Sequence, residues 1–106
     1  MSYNVYLEVD AGGPETVEAY WRNHTSNTAV MWREAGCDLA EFHGRLAADL
    51  GDALTPALAD MRARSEHYAQ WNPPNGWGSV DSTIEFLTEL RAACERFPLA
   101  KVVVSR

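Results

Sequence analysis

Amide, hydroxyl, aromatic and cationic side chains are concentrated in the stretch from Asn23 to Arg33. Thr25 and Asn27 carry side-chain oxygens that can accept from the free backbone N–H groups of a first helical turn. The stretch contains more such groups than one helix end requires, so the surplus is available to a ligand. Trp32 would stack on that ligand, and Arg33 would meet an anionic group on it.

A second group of this kind occupies the loop Trp71–Gly78, W-N-P-P-N-G-W-G. Its prolines and glycines predict an irregular, pre-formed loop, in which Asn75 and Trp77 would contact a ligand. The alternative is that Trp71 or Trp77 folds back onto the edge of the core. The candidate binding surface therefore joins two distant segments, and its predicted residues are Asn23, Thr25, Asn27, Trp32, Arg33, Asn75 and Trp77.

Catalytic signatures are few. A histidine such as His24 could act as a general base and Cys37 as a nucleophile, but no local motif places a thiol beside a histidine. The helical pattern predicts that Cys94 packs in the core. Spacings typical of zinc sites and phosphate-binding glycine loops do not occur, so no metal or cofactor is predicted. A small hydrolase or transferase using His24 or Cys37 is the enzymatic alternative.

The first half of the chain predicts a hairpin followed by a short helix. Residues 3–9 alternate apolar and polar side chains, which indicates a half-buried strand. Residues 10–14 carry turn chemistry. Residues 16–22 also alternate and suit a second, antiparallel strand, with a short helix as the competing interpretation. The helix that follows would end at Gly36 and place Val30 and Met31 in the core.

The central region predicts a longer amphipathic helix. Asp38 can cap a short turn that ends at Gly44. Pro56 interrupts the following pattern, so we expect a kinked helix or two helices divided near Thr55. The apolar stripe of this helix consists of Leu46, Leu50, Leu54, Leu58 and Met61.

The last third predicts a short helical turn from Ser65, a helix capped by Ser79 or Ser82 and stopped by Pro98, and a strand over residues 101–105. The elements read β, β, α, α, α, β. We therefore predict an α+β fold, in which a small antiparallel sheet, made of the N-terminal hairpin and the C-terminal strand, is covered on one face by three or four helices.

Bulk composition restricts the function. The 106 residues suit one compact domain over 1–106, and the formal charge of −6 disfavours nucleic acid as a partner. No apolar run is long enough to span a membrane, and the N-terminus lacks the pattern of a signal peptide. A cytoplasmic protein is the expectation. Its predicted partners are a host protein or a small polar ligand, with a homodimer as a further possibility.

Several motifs resemble a known family. They are the run from Asn23 to Gly36 with its Met-Trp-Arg, the Asn-Pro-Pro-Asn-Gly-Trp-Gly loop of residues 72–78, and the tail from Ala92 to Arg106. Together they resemble an uncharacterised family of small single-domain proteins of actinobacteria and their phages. Members often carry an aromatic residue where this chain has His24. The resemblance implies a bacterial or phage cytoplasmic setting and no particular activity.

These observations rank the functions. A non-enzymatic binding protein, such as a phage accessory protein that binds a host protein or sequesters a small molecule, comes first. The hydrolase or transferase and a structural or regulatory dimeric interaction protein are the alternatives.

Overall fold

Three antiparallel strands form the sheet in the computed structural model, which describes residues 2–106. Strand β1 is Ser2–Val9, β2 is Val17–Thr25 and β3 is Lys101–Ser105. The spatial order is β2-β1-β3, so the hairpin and the C-terminal strand share one sheet. With helices on one face of this sheet, the predicted α+β fold is confirmed.

Strand β1 lies in the centre of the sheet and follows the predicted alternation. Tyr3, Val5 and Leu7 are at most 2% exposed and face the helices. Asn4 and Tyr6 lie on the other face and are half-buried. One face of the sheet is therefore covered by the core and the other is open.

Strand β2 is a strand rather than the competing helix, and it is longer than the alternation over 16–22 suggested. It continues through Thr25, because Tyr3 pairs with His24 and Ser2 pairs with Thr25. The residues of β2 that share a face with Trp21 point away from the core, and Trp21 itself remains 51% exposed. Asn23 to Thr25 thus belong to the end of a strand, and the helix begins after them.

The short helix predicted up to Gly36 is present in two parts, a 3₁₀ turn over Ser26–Thr28 and helix α1 over Ala29–Glu34. Gly36, with φ of 91°, follows its end. Met31 is fully buried as predicted. Val30 is 36% exposed, so its predicted core position is wrong. The 3₁₀ turn rotates α1 about its own axis, so that a different set of side chains faces the core.

Helix α2, Ala47–Ala63, follows a 3₁₀ turn over Leu39–Phe42, whose N-cap is Asp38 as predicted. The helix continues unbroken through Pro56, so of the two predicted alternatives the division into two helices near Thr55 is wrong. The Thr55 hydroxyl donates to the Gly51 carbonyl oxygen at 3.0 Å within the same turn. The apolar stripe is buried from Leu50 to Met61, whereas Leu46 precedes the helix and is 47% exposed.

Helix α3 is Ser65–Ala69 and helix α4 is Val80–Arg96. Helix α4 starts with a capping box, in which the side chains of Ser79 and Ser82 each accept from the other residue's backbone N–H. Of the two caps predicted as alternatives, Ser79 is therefore the N-cap, and Ser82 lies at the third position of the helix. Helix α4 packs against α2 on one side and against β2 on the other. Among residues 2–106, no helix combines the length and the hydropathy needed to cross a membrane.

The two edges of the sheet differ. Residues 44–47 cover the β3 edge, where the Gly44 N–H donates to the Val102 carbonyl oxygen at 2.7 Å and the Val102 N–H donates to the Arg45 carbonyl oxygen at 2.8 Å. Within the described chain, β2 has no comparable backbone neighbour on its outer side. The β2 edge is therefore open, and it leads to the segment Asn23–Asn27.

Candidate binding site

A cleft of about 430 Å³ lies where the end of β2 meets the loop before α4, and we call it the Trp77 cleft. It brings together the two segments that the sequence analysis singled out. Its lining includes Asn23, His24, Thr25, Asn27, Trp77 and Ser82. None of these side chains carries a fixed charge.

Gly78 allows the loop to approach the strand this closely. Its φ is 102°, and a Cβ atom at this position would lie 2.7 Å from Thr25 Cγ2 and 2.9 Å from Thr28 Cγ2. Both the backbone conformation and the contact exclude a larger side chain without a shift of the loop. The wall of the cleft that contains Trp77 is thus fixed to the end of β2 by a glycine contact.

Asn4 on the open face of the sheet orients the side chain of Asn23. The Asn23 Nδ2 group donates to Asn4 Oδ1 at 3.0 Å and approaches the Tyr3 carbonyl oxygen at 3.4 Å. Asn4 Oδ1 also accepts from Trp21 Nε1 at 3.3 Å. Because both Asn23 amide protons are engaged, its Oδ1 is the atom that remains available as an acceptor.

Thr25 and Asn27 supply donors to the cleft. Thr25 Oγ1 accepts from the Asn27 backbone N–H at 3.2 Å, as predicted for a capping residue, and its own hydroxyl proton remains free to donate. The Asn27 side chain is exposed and has no hydrogen-bond partner in the part of the chain that the structure describes. The cleft therefore offers donors and acceptors of amide and hydroxyl type.

His24 contributes a neutral imidazole to the same lining. Burial, followed by the charge of Arg22, lowers the pKa of His24 to about 4. The Thr83 hydroxyl donates its proton to the Ser79 carbonyl oxygen at 2.8 Å, so at 3.2 Å it must accept from His24 Nε2. We infer that Nε2 carries the ring proton and that Nδ1 is an acceptor.

Trp77 forms the outer wall of the cleft and is 70% exposed. The backbone N–H of Trp77 donates to Asn75 Oδ1 at 2.9 Å, which holds the loop in a local turn and leaves the Asn75 amide donors free. Trp71 instead is half-buried against the core, with its ring 5.2 Å from that of His67. Trp71 thus packs against the core, whereas Trp77 faces solvent.

A second groove, of about 470 Å³, lies on the other side of the loop and adjoins the Trp77 cleft at Asn27. Its lining includes Asn27, Val30, Trp71, Asn72, Pro73 and Asn75. Asn72 Oδ1 accepts from the Val80 N–H at 2.8 Å, so this side chain supports the start of α4. Five of the seven predicted binding residues line these two adjoining grooves.

The other two predicted residues lie elsewhere. Trp32 is fully buried, with its ring 5.0 Å from that of Tyr3 and nearly perpendicular to it. It is therefore not accessible for stacking on a ligand. Arg33 is exposed outside the cleft, where its Nη2 donates to the Tyr3 hydroxyl at 2.8 Å and its Nε lies 3.9 Å from Asp38. The cleft lacks the cation that the sequence pattern had suggested.

Both cysteines are buried in the way that is typical of residues that pack in a core. Cys37 is 0% exposed, and burial followed by the charge of Asp38 raises its pKa to about 12. Cys94 is also buried, and burial raises its pKa to about 12. A nucleophilic cysteine needs the opposite environment. In the described part of the chain, no group of three His, Cys, Asp or Glu side chains is arranged to hold a metal ion.

Sequence reasoning missed three contributors to this region. Ser82 enters the cleft because the capping box turns it toward β2, and Gly78 sets the approach of the loop. Trp21 lies beside Asn23 on the open face, and both side chains donate hydrogen bonds to Asn4 Oδ1. The alternation predicted over residues 16–22, if extended by one residue, would have placed Trp21 and Asn23 on one face.

Comparison of the chain with protein-family models, with curated proteins and with solved structures finds no match in any of the three. The geometry of the site is therefore the basis for a functional assignment.

Proposed function

We propose that this chain is a non-enzymatic binding protein whose ligand occupies the Trp77 cleft. The observation that supports the proposal is the meeting of Asn23, Thr25 and Asn27 with Trp77 around one cleft. A largely exposed tryptophan beside unpaired amide and hydroxyl groups provides apolar contact area together with orienting hydrogen bonds.

The part of the ligand that lies in the cleft is expected to be neutral and rich in amide or hydroxyl groups. The lining residues carry no fixed charge, and the low pKa of His24 keeps its ring neutral near pH 7. A small polar molecule or a segment of a host protein meets this requirement. The net charge of −6 makes nucleic acid an unfavourable partner.

A phage accessory protein acting in the cytoplasm of an actinobacterium agrees with the family resemblance. The alternative of a dimeric interaction protein has one supporting observation, which is the exposure of Val17 and Trp21 on β2.

The enzymatic alternative lacks an activated nucleophile, since Cys37 and Cys94 are both buried.

The test compares Trp77→Ala and Asn27→Ala with Leu99→Ala, a control at a position that is 82% exposed and outside the cleft. Native mass spectrometry of gently purified protein is compared with the denatured mass to detect a bound small molecule. Affinity capture from a bacterial extract detects a protein partner.

We expect the added mass or the captured partner to disappear with Trp77→Ala and Asn27→Ala and to persist with Leu99→Ala. Retention of ligand by both cleft variants, with the fold intact by circular dichroism, would refute the assignment of the cleft.

A further inference from the structure

The hydrogen bonds at the covered β3 edge determine to which side of its strand each residue of the sheet directs its backbone N–H and C=O groups. On the side of β3 away from β1, Val102 accepts from the Gly44 N–H at 2.7 Å and donates to the Arg45 carbonyl oxygen at 2.8 Å. Backbone groups of successive residues in a strand point to alternate sides. Those of Val103 therefore point toward β1, where Val103 pairs with Tyr6.

The same alternation continues across the hairpin. Because the backbone groups of Tyr6 point to β3, those of Val5 point to β2, where Val5 pairs with Arg22. The neighbours of Arg22, namely Trp21 and Asn23, consequently direct their N–H and C=O groups to the open edge. In the described chain these groups have no backbone partner there.

This open edge continues into the Trp77 cleft. Asn23 belongs to both, since its backbone lies on the edge and its side chain lines the cleft. Ser2, the first residue of β1, pairs with Thr25 and also lines the cleft, so the cleft spans the end of the hairpin. At Asn23 the cleft borders the open edge, so a ligand in the cleft can reach the outward backbone groups of β2.

We propose that the ligand of the Trp77 cleft is an extended segment of another protein, which pairs with Trp21 and Asn23 as a fourth strand of the sheet and ends in the cleft. This inference rests on the proposed binding function and names its ligand class. Two donors and two acceptors at strand spacing match a polypeptide backbone, and strand addition to an open sheet edge is a recurrent mode of peptide recognition. The uncharged lining of the cleft suits backbone amides equally well.

Charge favours a foreign segment over a second copy of this chain. At a formal charge of −6, two copies repel each other, whereas a segment containing Lys or Arg is attracted. Exposed carboxylates lie on β2 and on α4, which packs against it: Glu18 lies on β2, and Glu85 lies one turn from Glu89, the residue of α4 that is paired with Arg22. The segment is therefore expected to carry basic side chains beside its paired residues.

The test uses random linear peptides displayed for selection on the wild-type protein, followed by affinity measurements on the best-enriched synthetic peptide. Trp21→Pro removes an outward N–H, and Trp21→Ala is its matched control, because it removes the same indole but retains the N–H. Proline is tolerated on an edge strand where the N–H is not part of the ladder. Circular dichroism verifies the fold of each variant.

We expect basic peptides to be enriched and to lose affinity about tenfold or more with Trp77→Ala, as the proposed function requires. Trp21→Pro should weaken binding roughly tenfold beyond Trp21→Ala, because one backbone hydrogen bond is lost in the complex. Affinity should also fall as the salt concentration rises.

Amide hydrogen exchange of the wild-type protein provides a second readout that does not require the proline variant to fold. The Trp21 and Asn23 amide protons should exchange rapidly in the free protein and become protected when peptide is added. The Arg22 amide proton, which lies within the hairpin, should change little and is the internal control.

Three outcomes would overturn the inference. If the peptide requires Trp77 but neither Trp21→Pro nor hydrogen exchange reports an effect at the edge, strand pairing is wrong and the binding function stands. If no peptide is enriched, the ligand is not a polypeptide, and an added mass in the native spectrum would still support the proposed function. If protection rises with protein concentration alone, the occupant is a second copy of this chain.

Discussion

The imidazole of His24 lies parallel to the ring of Phe86, with the ring centroids 4.7 Å apart and the planes inclined by 7°. This stack joins the end of β2 to α4, and the hydrogen bond from His24 to Thr83 reinforces it. The neutral ring fits this position better than the imidazolium, because burial and Arg22 both penalise the charge. The stack therefore connects the stability of the fold to pH at the cleft.

The first prediction concerns stability against pH. In the folded protein the pKa of His24 is about 4, below its ordinary value of 6.5, so the unfolded chain binds the proton more readily between these values. The stabilisation that depends on the neutral ring is complete above pH 6.5 and is lost as the pH falls toward 4. One pKa unit corresponds to about 1.4 kcal/mol, so the loss is at most ~3.5 kcal/mol, and the partial solvent exposure of the ring reduces it below that bound.

Urea unfolding between pH 4 and 7 for wild type and His24→Phe measures this effect. Phenylalanine retains an aromatic stack but cannot titrate, and the carboxylates are common to both proteins. We expect the free-energy difference between the two proteins to change with pH in favour of wild type as the pH rises. A difference independent of pH would contradict the lowered pKa.

The second prediction separates the two tryptophans that the sequence had assigned to one surface. Trp32 is fully buried and Trp77 is 70% exposed. Trp32→Ala should lower the free energy of unfolding by about 3–5 kcal/mol through lost burial and the cavity it leaves. Trp77→Ala should change it by about 0.5 kcal/mol or less. Chemical denaturation measures both, and similar values for the two variants would contradict this division of roles.

The difference between these tryptophans also illustrates what the sequence could specify. Alternation along β1 and the stripes of α2 and α4 follow from a two-residue period and a 3.6-residue period, and both periods are visible in a single chain. The rotation of α1 is not visible in this way. It depends on the 3₁₀ turn before the helix, which directs Trp32 inward toward Tyr3 and Val30 outward.

The composition of the candidate site was predictable, whereas its assembly was not. Asn27 and Trp77 belong to segments with an unusual density of polar and aromatic groups, which is visible in the sequence. Their meeting depends on the contact between Gly78 and Thr25, which is long-range and has no local signature. The anchoring of Asn23 by Asn4 likewise depends on hairpin register, which a sequence pattern leaves open by one or two residues.

The third prediction tests how the loop is held against the strand. Gly76 and Gly78 both have positive φ, 78° and 102° respectively, but only at Gly78 would a Cβ atom contact neighbouring side chains. Gly76→Ala should cost about 1–2 kcal/mol from the left-handed backbone alone. Gly78→Ala should cost more, because the methyl group would also lie within 3 Å of Thr25 and Thr28.

Thermal unfolding of both variants measures the comparison. The part of the tryptophan emission that is lost with Trp77→Phe in the same background is the Trp77 signal, and it reports displacement of the loop. We expect Gly78→Ala to shift that emission and Gly76→Ala to leave it nearly unchanged. Equal destabilisation by the two substitutions would show that backbone conformation alone, and not the close approach, requires glycine at Gly78.

The fourth prediction uses the thiols to test the enzymatic alternative. Cys37 and Cys94 are buried, and burial raises the pKa of each thiol to about 12. Because the thiolate is the reactive form, neither cysteine should react appreciably with iodoacetamide in the native protein at pH 8. Mass spectrometry should show both becoming modified once urea unfolds the chain, with the same midpoint as the loss of circular dichroism.

Cys37→Ala, which retains one buried thiol, is the control that assigns the signal. Rapid alkylation of native Cys37 would mean that the thiol is accessible and activated, and would revive the hydrolase or transferase hypothesis.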